Sequence, residues 1–191
     1  MYNRGYDNEK YRKILFGYYN CPSCGYFGVD DGGFSIDIFP DGKLNYTTYI
    51  FDKKEKTRQE YMLSVKTIDK IKKVLDENKA VIESFDEHTD NGSCDGNGHF
   101  FVFYGKEFIT WNIEYHDEDE LRKSNQPYYN EYINVIRQEN KMIIIFSKIT
   151  EILEDEGMYL NLHTVSFNQY NDNKKHGLTM LFSVGGDFYI E

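Results

Sequence analysis

The chain has 191 residues, with 22 Lys and Arg against 32 Asp and Glu, and a formal net charge of −10. That length predicts one domain, residues 1–191, able to bury roughly 70% of its unfolded surface without needing a disulfide or a metal. An aromatic content of 17% excludes a disordered chain, and no apolar run is long enough to predict a membrane-spanning helix.

Residues 1–13 are polar and rich in tyrosine and read as a loosely anchored arm or a short helix, with no apolar stretch that would make a signal peptide. Ile14–Tyr19 reads as a short strand, and the glycine-dense stretch that follows, Gly25 to Gly33, reads as loop. Phe34–Phe39 and Lys43–Phe51 both alternate apolar and polar residues, and Pro40-Asp41-Gly42 between them is a turn signal, so a hairpin is predicted. Glu60–Leu63 would add a third strand after a charged turn, Asp52–Lys56.

Ser64 then reads as a helix N-cap, followed at helical spacing by Val65, Ile68, Ile71, Val74 and Leu75. Ala80 to Phe85 continues this helix or forms a second short one, and Asp86–Gly98 reads as a loop. A second hairpin follows, His99–Tyr104 and Glu107–Tyr115, joined at Gly105-Lys106. An acidic loop, His116–Glu120, leads to a helix start at Ser124-Asn125-Gln126-Pro127.

The helical pattern then runs to Gly157. One helix over that span would be about 45 Å long, so a break is expected near Gln138–Lys141. Tyr159–Phe167 and Leu178–Val184 read as two final strands. The order ββ(β)α-ββα-ββ predicts an α+β fold: an antiparallel or mixed sheet built from hairpins, with two main helices on one face. No glycine-rich loop joins a strand to a helix, which argues against a doubly wound nucleotide-binding fold.

One motif carries chemistry. Cys21-Pro22-Ser23-Cys24-Gly25 resembles one knuckle of a zinc ribbon, in which two thiolates three positions apart grip one tetrahedral zinc. No second knuckle exists, but Cys94 and His99, with His88 as an alternative, would complete a Cys₃His site. A pair of reduced thiols with no metal is the plainer reading. The same motif also resembles the active site of glutaredoxin-like proteins, yet Gly25, Gly28, Gly32 and Gly33 follow it where that fold needs a helix.

Other candidates are generic. The loop Asp90 to Asn97 lacks EF-hand spacing. Adjacent acids such as Asp30-Asp31 have no evident partner, the five histidines show no metalloprotease spacing, and no serine nucleophile motif occurs. Trp111, Phe108 and Ile113 read as sheet core, and Tyr128, Tyr129 and Tyr132 as amphipathic packing or an aromatic contact surface.

The odd number of cysteines fits a reducing, cytoplasmic setting. Lysine greatly exceeds arginine, asparagine is abundant and Ala80 is the sole alanine, a skew that suggests an AT-rich bacterial genome. The acidic balance disfavours nucleic acid and anionic membrane, since Lys70, Lys72 and Lys73 are interleaved with Asp69, Asp76 and Glu77. It favours a basic protein partner.

In composition and layout the chain looks like the small, acidic, aromatic-rich cytosolic proteins that neutralise toxins. That resemblance implies a non-enzymatic binding module of immunity type, with contact residues Asp117, Glu118, Asp119 and Glu120 and the Asp86–Asp95 loop. A small zinc-stabilised domain and a small-molecule enzyme with a cleft between sheet and helices are the alternatives.

Overall fold

The computed structural model describes residues 13–21, 32–50, 55–90, 97–113 and 118–158. Seven strands, β1 (Phe16–Cys21), β2 (Gly32–Ile38), β3 (Lys43–Ile50), β4 (Glu55–Met62), β5 (His88–Asp90), β6 (Asn97–Phe103) and β7 (Lys106–Ile113), form one mixed sheet in the order β4-β3-β2-β1-β6-β7-β5. Every neighbouring pair is antiparallel except β5 and β7. Four helices accompany the sheet: α1 (Val65–Glu77), α2 (Lys79–Glu83), α3 (Glu118–Ser124) and α4 (Gln126–Asp155). The expected α+β class is thus what the chain adopts.

β2 and β3 were legible because their residues alternate. Register places Phe16 and Tyr18 of β1, Phe34, Ile36 and Ile38 of β2, Leu44 and Tyr46 of β3, and Phe101 and Phe103 of β6 on one pleat face. All are buried and join one core with Ile68, Ile71 and Leu75 of α1 and Met142, Phe146, Ile149 and Leu153 of α4. Phe146 stacks on both Phe16 and Tyr18, with ring centroids 6.0 and 4.3 Å apart.

The local signals behave as their chemistry requires. Gly42 takes the positive φ of the first turn, at 94°. Ser64 Oγ accepts the Thr67 amide at the start of α1, and Asn125 Oδ1 accepts the Tyr128 amide at the start of α4. At the far end of α4, Gly157 has φ 81°, while the amides of Met158 and Gly157 donate to Leu153 and Glu154 carbonyls, a Schellman closure.

Several expectations are corrected. The third strand begins at Glu55, earlier than the pattern implied. The second hairpin turns one residue earlier, at Tyr104-Gly105, with φ 51° and 76°, the paired positive angles that suit a two-residue hairpin loop. The stretch Asp86–Gly98 is not all loop, because β5 pairs parallel with β7 inside it. A three-residue strand is too short to show a period. Part of the acidic loop is helix: α3 starts on Glu118, Asp119 and Glu120 and ends with Arg122 and Lys123, a charge order that complements the helix dipole.

The largest correction is α4, which runs unbroken for 30 residues. Gln138 to Lys141 includes no glycine or proline and does not interrupt the backbone. A helix of about 45 Å outruns strands of about 25 Å, so its N-terminal half packs elsewhere. Tyr132, Ile133 and Ile136 form a separate small cluster with Leu121 of α3. The expected arm over residues 1–12, the rest of the cysteine knuckle after Cys21, and the two final strands beyond residue 158 lie outside the described residues.

Candidate functional site

The polar stretch in the middle of α4 faces the sheet. Glu139 is fully buried at 0% exposure, although both of its helix flanks are rich in isoleucine. Opposite it, on the helix-facing pleat of β6, stands His99 at 3% exposure, and beside His99 on β1 is Tyr18 at 4%. Tyr18 Oη lies 2.8 Å from His99 Nδ1. His99 Nε2 lies 3.5 Å from Glu139 Oε1. Thr110 of β7, the register partner of His99, is buried as well.

The electrostatics follow from burial. Desolvation pushes the His99 imidazole down to about 4, so the ring is neutral near pH 7. The 3.5 Å approach to Glu139 is within reach of an ion pair, but a neutral ring makes it a polar contact instead, longer than a direct N–H···O bond. Burial first, and the nearby Glu139 second, hold the Tyr18 phenol well above its ordinary value, so it keeps its proton. The assignment that serves both contacts has Tyr18 donating to Nδ1 and His99 carrying its own proton on Nε2, toward Glu139.

Tyrosine, imidazole and carboxyl in series is an arrangement able to move a proton. The three side chains join the sheet to α4, and all three are buried. Just beyond, Gln138 clamps the chain after α2: its Oε1 accepts the Asp86 amide at 2.9 Å and its Nε2 donates to the Asp86 carbonyl at 2.8 Å.

Of the proposed metal ligands, Cys24 and Cys94 lie outside the described residues. Cys21 ends β1 opposite Gly98, whereas His99 pairs with Asn20. Successive register positions alternate between the faces of a sheet, so positions 21 and 99 belong to opposite pleats. His99 would have to give up Tyr18 to offer Nδ1 to an ion. Among the described residues no group of three or more His, Cys, Asp and Glu stands together in a way that would hold a metal.

Of the proposed contact acids, Asp117 lies outside the described residues, while Glu118, Asp119 and Glu120 form the first turn of α3. Asp119 is held by Arg122 at 3.0 Å, and Glu120 is exposed. Asp86 is exposed beside Gln138, and Glu87 pairs with Lys106 at 3.1 Å.

The parallel pairing has a topological consequence. Asp90 stands opposite Trp111, so the chain leaves β5 and β7 at the same end of the sheet. In the sequence β5 is followed by Asp95 and β7 by α3. Sequence reasoning missed Glu139 and Tyr18, although a lone acid among isoleucines at core spacing was a usable signal. Compared with protein-family models and with curated proteins, the chain matches none of them.

Proposed function

We propose that the protein is a non-enzymatic binding module of immunity type, which covers a basic protein partner with an acidic end of its sheet. The observation that supports this reading is the parallel β5–β7 pair: both strands finish at the same end of the sheet, and acidic residues follow each of them in the sequence. The net charge of −10 supports the same reading by accelerating encounter with a cationic surface. Several surface lysines pair within the chain, as in Lys43–Glu60, Lys70–Glu156, Lys79–Glu83 and Lys106–Glu87.

The test starts from a basic protein that co-purifies with the chain. Its affinity for wild type and for the double charge reversal D119K/E120K is measured at low and at high salt. Weaker binding with a flatter salt dependence in the variant supports the reading. An affinity and salt dependence that both stay unchanged remove it.

A second reading, an enzyme acting on a small molecule between sheet and helix, would require the buried Tyr18–His99–Glu139 series to open to its ligand. A small-molecule ligand that raises the melting temperature of wild type and not of Glu139→Gln would support it. A screen in which no ligand separates the two proteins would remove it.

A further inference from the structure

Strand β4 closes one side of the described sheet. Arg58, Gln59 and Glu60 in its middle are all exposed, even though successive residues face opposite sides of the sheet. Three large hydrophobic side chains are exposed among the described residues, and two of them flank the C-terminal end of this strand: Met62 at 74% and Val65 at 78%. Arg58 and Glu60 share one pleat, and their charged groups lie 2.8 Å apart.

Glu60 also pairs with Lys43 of β3 at 3.2 Å. In a symmetric antiparallel pairing of two β4 strands, each side chain keeps to its own face only when the strand is centred on a residue and not between two. Centring on Arg58 sets guanidinium against guanidinium, and centring on Glu60 sets carboxylate against carboxylate; both are unfavourable. Centring on Gln59 sets Arg58 opposite Glu60 on both sides of the axis, with Gln59 opposite its own copy.

We propose that β4 is a homotypic docking edge, at which two copies of the chain pair antiparallel about Gln59 through reciprocal Arg58–Glu60 contacts. The two sheets would then continue into one. This edge lies across the sheet from β5 and β7, so the acidic end stays open in the pair, and the inference does not depend on what that end binds.

The test is the molar mass of the full chain in solution over a rising concentration series. Wild type is expected to approach twice the chain mass. R58E and E60R should each be shifted toward monomer, with the dimer dissociation constant raised about tenfold or more, because two favourable pairs become two repulsive ones. An equimolar mixture of R58E and E60R should dimerise again, since each variant supplies the charge that the other requires. Arg58→Gln, which removes the pair without adding repulsion, should give an intermediate shift. A wild type that stays monomeric throughout, a dimer indifferent to these substitutions, or a mixture that fails to reassociate would overturn the proposal.

Discussion

His99 makes the stability of the protein depend on pH in a definite direction. Its imidazole is held at about 4 in the fold against 6.5 in the unfolded chain, because burial disfavours the charged form. Between those values the unfolded chain binds the extra proton, so stability rises with pH. The contribution is fully present above pH 6.5 and is lost as pH falls toward about 4. The loss amounts to about 3 kcal/mol. Urea unfolding at neutral pH and near pH 4.5 should show this loss in wild type and much less of it in His99→Gln; equal slopes in the two proteins would contradict the assignment. Tyr18→Phe removes the donor from a buried ring nitrogen and should cost about 1–3 kcal/mol. A melting temperature unchanged from wild type would mean that Nδ1 is satisfied in another way.

At the scale of elements, α4 holds together through a stretch that looks like an interruption. Gln138, Glu139 and Asn140 are polar, yet Glu139 and Asn140 are buried and Gln138 is bonded to the Asp86 backbone. Lys141 is exposed on the continuous helix, so Lys141→Pro should destabilise by about 3 kcal/mol. A helix broken at this point would tolerate proline, so thermal melts of the variant separate the two cases. The first hairpin turn is equally constrained. A Cβ at Gly42 would stand 2.8 Å from the Leu63 carbonyl oxygen, and the residue has a positive φ. Gly42→Ala should therefore cost upwards of about 1 kcal/mol, readable as a lowered urea midpoint with an unchanged slope.

For the whole molecule, the sheet has two unlike edges. β5 is a three-residue strand at one edge, whereas β4 at the other is eight residues long and charged. Short edges and charged edges both discourage indiscriminate pairing. On β4 the alternation of sign narrows the permitted partner to a complementary strand. The acidic residues that follow β5 and β7 in the sequence come after strands that finish at one end of the sheet, because the two strands pair parallel. If they act as one surface, reversing charge at Asp119 and Glu120 should slow association with a basic partner more than it speeds dissociation, an effect seen in binding kinetics at low salt and diminished at high salt.

Alternation along β2 and β3, the hairpin of β6 and β7, the turn at Pro40-Asp41-Gly42, the Ser64 cap and the helical spacing of α1 were readable because each rests on the chemistry of neighbouring residues. Those local rules determined the α+β class and most of the core. They carried no information on β5, whose three residues become a strand only against β7, nor on the continuity of α4, whose polar middle is accommodated by His99 and Asp86 from distant parts of the chain. The Tyr18–His99–Glu139 series draws its members from positions 18, 99 and 139, and the acidic end draws on strands separated by the whole of β6. Contacts of that kind are set by strand order and helix placement. A sequence pattern shows which side chains need a partner, and the tertiary fold decides which partner each one meets.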